Sequence, residues 1–134
     1  MGQAAADNAK RRLLAVDDDA ASAELVGRIA ARCGYDVRVT SSPKEVRDLL
    51  TEWRPDVLTL DVCMPDLDAV ELLPVLDEVQ FSGDLLIISG SDDRVRVSAR
   101  KLAAVRGIKV AGDIQKPLDV AALRKLLQGL LPAR

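Results

Sequence analysis

The stretch VLTLDVCMPDLDAVELL spans residues 57–73 and combines an apolar run, an acidic residue that ends it, and a later helical pattern. Its first four residues, VLTL, suit burial on both faces. The runs LLAV at 13–16 and LLII at 85–88 repeat this character. Runs that are apolar on both faces are typical of parallel strands with helices above and below them. The three runs therefore predict a parallel β-sheet.

Strand-like and helix-like segments alternate along the rest of the chain. Five strands are predicted, at Leu13–Asp17, Val37–Thr40, Val57–Asp61, Leu85–Ser89 and Val110–Gln115. Each is followed by a helical pattern. Five strand-then-helix units of this length favour a doubly wound α/β sheet, because right-handed crossovers place helices on both faces.

The predicted helices have recognisable ends. The first carries an apolar stripe and stops at Gly34; the stripe comprises Leu25, Val26, Ile29, Ala30 and Cys33. Ser42 should cap the second, with Glu45 closing a capping box. Pro74 should kink the third or delay its regular part. The fourth runs roughly over 92–106 with a solvated basic face, and Asp119 should cap the fifth.

Composition narrows the class of protein. The chain has 134 residues, enough for one domain, which we place at 11–134 after a flexible tail at 1–10. A net charge of −2 without a long basic cluster argues against direct nucleic-acid binding. The absence of a membrane-spanning run or a signal peptide predicts a cytoplasmic protein that does not bind membranes. The absence of histidine leaves carboxylates, hydroxyls, lysine or a thiol for chemistry.

Polar residues recur where predicted strands end. They are Asp17 and Asp18 after the first strand, Asp61 after the third, Ser89 after the fourth and Lys116 after the fifth. In an open α/β sheet, ligands collect outside the carboxyl ends of the strands. Clustered carboxylates repel one another unless a cation offsets their charge, and oxygen ligands suit Mg²⁺. These residues favour phosphoryl transfer, with an aspartate attacking phosphorus and Lys116 neutralising the phosphoryl oxygens.

Four motifs now stand in order: VDDD at 16–19, LDVCMPDLDAVELL at 60–73, ISGS at 88–91 and QKP at 115–117. Together they resemble a response-regulator receiver domain over residues 12–131. The resemblance implies a flavodoxin-like, doubly wound, five-stranded parallel sheet of order 2-1-3-4-5 with five helices. Residues 107–127, GIKVAGDIQKPLDVAALRKLL, are most similar to receivers found with cyclic-di-GMP phosphodiesterase domains. A stand-alone receiver and a fragment of a longer regulator both remain open.

The resemblance also implies roles for individual residues. Asp61 would be the phospho-acceptor, Lys116 the lysine that contacts the phosphoryl group, and Ser89 the switch hydroxyl. Mg²⁺ (or Mn²⁺) would be held by Asp17, Asp18, Asp61 and the backbone carbonyl of Cys63. Where many receivers carry an aromatic switch residue, three positions before the lysine, this chain has Asp113.

The implied partners are those of two-component signalling. A histidine kinase or a histidine phosphotransfer protein would supply the phosphoryl group. A downstream protein would bind the face formed by the fourth helix, fifth strand and fifth helix, and homodimerisation remains open. Such a chain accepts phosphate, can dephosphorylate itself, and is not otherwise an enzyme.

Other readings compete with this one. A magnesium phosphohydrolase with an aspartate nucleophile usually has a second acid two residues on, where this chain has Cys63. A phosphorylation-independent interaction module is kept open by Asp113. The acidic triplet at 17–19 could simply cap a helix, and Asp19 is expected to do so.

Overall fold

The computed structural model describes residues 10–62, 69–90 and 93–132. Five parallel strands form one sheet in the order β2-β1-β3-β4-β5, which confirms the predicted topology. Their bounds are β1 Arg12–Val16, β2 Asp36–Thr40, β3 Val57–Asp61, β4 Asp84–Ser89 and β5 Lys109–Gln115. Each bound lies within one residue of the sequence prediction.

Five helices cover the two faces of the sheet in the described part of the chain. They are α1 Ala20–Cys33, α2 Pro43–Asp48, α3 Ala69–Glu78, α4 Asp93–Val105 and α5 Val120–Gly129. Helix α2 continues directly into a π-helical segment, Leu49–Trp53. Every helix among these residues is too short or too polar to span a bilayer.

Alternate residues of the central strands enter two separate cores. Leu14, Leu58 and Ile87 pack with residues of α2, α3 and α4, and each is at most 1% exposed. Leu13 and Leu86 pack on the opposite face with residues of α1 and α5. The inner strands are therefore buried on both sides, as their apolar runs predicted.

Two details of the predicted helices are wrong, and one of two predicted effects of Pro74 is excluded. Leu25 is 39% exposed and does not belong to the buried stripe of α1. Ser42 precedes α2, but its side chain makes no capping hydrogen bond. The Thr40 hydroxyl instead fixes the chain just before α2, where it accepts from the Ser42 amide (3.1 Å) and donates to Glu45 (3.2 Å). Pro74 lies inside α3, which begins at Ala69, so the delayed start is excluded and the kink stays a prediction.

Two predicted caps are confirmed. The Asp19 carboxylate accepts from the Ala21 amide at the start of α1, and the Asp119 carboxylate accepts from the Ala122 amide at the start of α5. Gly34 ends α1 with φ 106°, a left-handed conformation that favours glycine.

Strand β5 contains one irregularity. Leu85 pairs with Val110 but Leu86 pairs with Gly112, so Ala111 is an extra residue in β5. Such a bulge changes which face the following side chains occupy. Beyond it, Ile114 enters the α1/α5 core, while the side chain of Asp113 reaches α4.

Candidate functional site

The carboxyl ends of the strands bring the predicted polar residues to one edge of the sheet. Asp61 is the last residue of β3, and Ser89 is the last residue of β4. Asp17 directly follows β1, and Lys116 directly follows β5. All five strands are parallel, so residues from four distant parts of the chain meet at one crevice.

Lys116 joins the two buried carboxylates. Its Nζ donates to Asp61 Oδ2 at 2.5 Å and to Asp17 Oδ2 at 3.3 Å. Both aspartates are only 3% exposed. The Lys116 backbone amide also donates to the Ser89 carbonyl at 2.6 Å, which holds the loop after β5 against the end of β4. The lysine is thus fixed by both its backbone and its side chain.

Asp18 completes an acidic cluster with Asp17 and Asp61. One carboxylate oxygen from each of the three residues lies within 4.8 Å of the others. Three carboxylates carry more negative charge than the Lys116 ammonium can neutralise by itself, and a divalent cation would add positive charge in this largely buried crevice. Hard oxygen donors in this number are those that Mg²⁺ uses. The residues present therefore fit a magnesium ion.

Burial and neighbouring charges in the crevice shift the pKa values of Asp17 and Lys116. Burial raises the pKa of Asp17, and the neighbouring charge of Asp61 adds to that rise. The Asp19 amide, which donates to Asp17 Oδ1 at 3.0 Å, and Lys116 oppose it. Burial alone would lower the pKa of Lys116, but its hydrogen bond to Asp61 and the charges of both aspartates outweigh burial and raise it. Lys116 is therefore held as a cation.

Ser89 is 1% exposed at this same edge of the sheet. The structure thus brings together five of the predicted site residues: Asp17, Asp18, Asp61, Ser89 and Lys116. Cys63, expected to offer its backbone carbonyl to the metal, lies outside the described residues.

Comparison with known proteins shows the family of this chain. The response regulator receiver domain family matches residues 13–128. Two curated relatives, the response regulators MprA of Mycolicibacterium vanbaalenii and of Mycobacterium leprae, are 35% identical over 122 residues, or 90% of this chain and 50% of each relative. This chain belongs to the response regulator receiver domain family. It spans about half the length of the curated relatives it matches.

Solved structures place this receiver domain among close structural neighbours. A response regulator from Colwellia psychrerythraea matches with a TM-score of 0.81 at 30% identity, covering 91% of this chain and 97% of that chain. A response regulator protein from Burkholderia pseudomallei, solved with a phosphorylated aspartic acid, a calcium ion and citrate, matches with a TM-score of 0.72. At 22% identity, over 88% of this chain and 66% of that one, the second match shows the shared fold alone.

A small cavity beside the acidic cluster of the receiver domain was not predicted. Its volume is about 220 Å³, and it is lined by Asp17, Ser22, Leu25, Val26, Ile88, Lys116, Pro117 and Leu118. The exposure of Leu25 follows from its place on this cavity. The only sequence signal was the width of the apolar stripe on α1, which exceeds what the core can cover.

The basic side of α4 also departs from expectation. It was predicted to be ordinary solvated surface, yet two of its arginines contact the Asp113 carboxylate. Arg100 Nη1 lies 2.5 Å from Asp113 Oδ2, and Arg96 Nη1 lies 3.4 Å from Asp113 Oδ1. The i, i+4 spacing of the arginines was the available signal, since it places both on one side of the helix.

Proposed function

We propose that this receiver domain accepts a phosphoryl group on Asp61 with the help of Mg²⁺ or Mn²⁺. The observation that carries the proposal is the contact of Lys116 with Asp61 at 2.5 Å beside two further carboxylates. Asp17, Asp18, Asp61 and the backbone carbonyl of Cys63 would hold the metal. When bound, the metal would neutralise charge on the phosphoryl oxygens.

The Asp61 carboxylate is the nucleophile of this reaction. One of its oxygens forms a bond to phosphorus while the bond from phosphorus to the donor, a histidine nitrogen or an acetate oxygen, breaks. The electron pair of the broken bond stays on the donor nitrogen or oxygen. In the product, the Lys116 ammonium donates a hydrogen bond to one phosphoryl oxygen, and the Ser89 hydroxyl donates a hydrogen bond to another.

A histidine kinase or histidine phosphotransfer protein is the proposed donor. The apolar cavity that adjoins the site supports docking of such a partner, because Leu25, Pro117 and Leu118 lie close to the buried acid cluster. A downstream protein would bind the face of α4, β5 and α5. The likeness to receivers of cyclic-di-GMP phosphodiesterases, the cytoplasmic location, and a folded domain at 11–134 stay predictions of the sequence.

Intact mass spectrometry after incubation with Mg²⁺ and acetyl phosphate tests the assignment. We expect one phosphoryl addition on the parent and none on Asp61→Asn. Asp36→Asn is the matched control, since Asp36 is exposed on edge strand β2 and should leave phosphorylation unchanged. Lys116→Met should retain some phosphorylation.

A second candidate function is a phosphorylation-independent interaction module. The observation that favours it is the position of Asp113, which is ion-paired with α4 instead of supplying an aromatic side chain. A parent protein that is folded and binds Mg²⁺ but gains no phosphoryl group, from acetyl phosphate or from a panel of phosphorylated histidine kinases, would support this alternative. A phosphorylated Asp61→Asn protein would refute Asp61 as the acceptor.

A further inference from the structure

The described side chains of helix α4 bury little apolar surface. Ala99 and Ala103 are its fully buried contacts among the described side chains, and Leu102 is partly buried. By contrast, α3 buries Leu72, Leu73 and Leu76. Hydrophobic stabilisation scales with the apolar area buried, so the described side chains of α4 contribute less of it than those of α3 do. Polar contacts therefore matter for the position of α4.

The Asp113 cluster, defined as Asp113, Arg96 and Arg100, supplies such contacts. One carboxylate on β5 receives two guanidinium groups from successive turns of α4, at 3.4 and 2.5 Å. The Asp113 side chain is 24% exposed, which is less than either arginine. A partly shielded carboxylate with two cationic partners is more strongly held than a single surface ion pair.

Both sides of the cluster connect to the phosphorylation site through short stretches of chain. Helix α4 begins at Asp93, shortly after Ser89, and Asp113 lies shortly before Lys116 on β5. The Lys116 amide in turn donates to the Ser89 carbonyl at 2.6 Å. A shift of Ser89 or Lys116 towards a phosphoryl group would therefore reach α4 and Asp113 through these connections.

We infer that Asp113 is a positioning residue that fixes α4 on β5 in the unphosphorylated protein and so opposes phosphorylation of Asp61; the coupling rests on the proposed function. The ion pairs favour the arrangement in which they form. By thermodynamic reciprocity, weakening them favours the phosphorylated arrangement to the same extent. Surface ion pairs of this kind change equilibria by about two- to fivefold.

Hydrogen exchange of α4 in the metal-free, unphosphorylated protein tests the first half of the inference. We expect the α4 amides to exchange about two- to fivefold faster in Asp113→Asn and in Arg100→Gln than in the parent. High salt should accelerate exchange of α4 in the parent and have less effect in Asp113→Asn. Asp36→Asn on the other edge strand and Lys101→Gln, the next residue along α4, are matched controls and should leave the α4 amides unchanged.

A charge reversal separates the ion pair from general damage. Asp113→Lys should accelerate exchange of α4, and combining it with Arg100→Glu should restore protection, whereas a purely steric role for Asp113 would show no restoration. Equal exchange in the parent and Asp113→Asn, or equal acceleration in the controls, would overturn the attachment of α4 by this cluster.

The rate of phosphorylation by acetyl phosphate tests the second half. Asp113→Asn should be phosphorylated about two- to fivefold faster than the parent, because a larger share of its molecules holds the arrangement that accepts the phosphoryl group, while Asp113→Glu, which keeps the charge, should return towards the parent rate. Faster exchange of α4 with an unchanged phosphorylation rate would overturn the coupling. If the parent accepts no phosphoryl group at all, the proposed function and the coupling fail together, and hydrogen exchange alone then decides whether the cluster holds α4.

Discussion

Replacing Lys116 by methionine should expose how strongly the acidic cluster depends on its lysine. Methionine keeps much of the length of the lysine stem and removes the charge. Asp17 and Asp61, each 3% exposed, would then lie beside Asp18 without the ammonium group that bonds to both of them. At the 4.8 Å limit for their oxygens, an effective dielectric constant of about 20 gives a repulsion of about 3.5 kcal/mol between two unit charges.

Protonation of one aspartate limits this cost. Protonating an aspartate with an ordinary pKa of about 3.9 costs about 1.36 kcal/mol for each pH unit above that value. Protonation therefore limits the loss of stability to about 4 kcal/mol at pH 7 and about 1.5 kcal/mol at pH 5. We therefore expect Lys116→Met to lower the free energy of unfolding by about 3 kcal/mol at pH 7 in EDTA and by about half that at pH 5. Added Mg²⁺ should restore part of the loss.

Urea unfolding followed by tryptophan fluorescence measures the effect, because the single tryptophan, Trp53, is 9% exposed in the core. Lys101→Met, at an exposed position of α4, is the matched control. The double variant Lys116→Met with Asp61→Asn should recover part of the stability, since the repulsion between Asp17 and Asp61 is gone while Asp18 remains. A loss that is equal at both pH values and persists in the double variant would refute charge repulsion and point to lost packing of the lysine stem.

Two further substitutions test contacts away from the site. Tyr35→Phe removes a 2.6 Å hydrogen bond from the Tyr35 hydroxyl to the Leu127 carbonyl and should cost about 1 kcal/mol at neutral pH. Burial raises the pKa of Tyr35 to about 12 from 10.0. The stabilisation by the neutral phenol is therefore fully present below pH 10 and is lost as the pH rises towards 12. Urea unfolding over that range should show the stability of the parent falling towards that of Tyr35→Phe, and a constant difference between the two proteins would contradict this explanation. Asp119→Ala should lower the free energy of unfolding by about 1 kcal/mol through loss of the cap on α5, and an effect no larger than that of Asp36→Ala would contradict the capping role.

The sheet and the acidic crevice could be predicted because they depend on short-range sequence patterns. Runs such as Leu85–Ile88 are apolar on both faces, and few structures other than a covered parallel strand accommodate them. Once the strands are parallel, residues at their carboxyl ends must share one edge. The meeting of Asp61 and Lys116 therefore followed from strand direction and did not require side-chain detail.

The hydrogen-bond partners of polar side chains were harder to predict. Ser42 was expected to cap α2, but its side chain makes no capping hydrogen bond. Thr40, which is 6% exposed, accepts from the Ser42 amide and donates to Glu45. Leu25 was assigned to the core because periodicity identifies a face of a helix but not how far the neighbouring elements extend over it. These outcomes depend on tertiary packing.

The direction of Asp113 depends on a single extra residue. Val110 packs on the α3/α4 side, and unbroken alternation would send Asp113 to the α5 side. The bulge at Ala111 reverses that parity. Gly112 makes the bulge compatible with α5, because a Cβ there would lie 3.1 Å from both Cδ atoms of Leu126. Glycine inside a strand is the sequence signal for such a bulge. The bulge determines which helix the Asp113 carboxylate can contact.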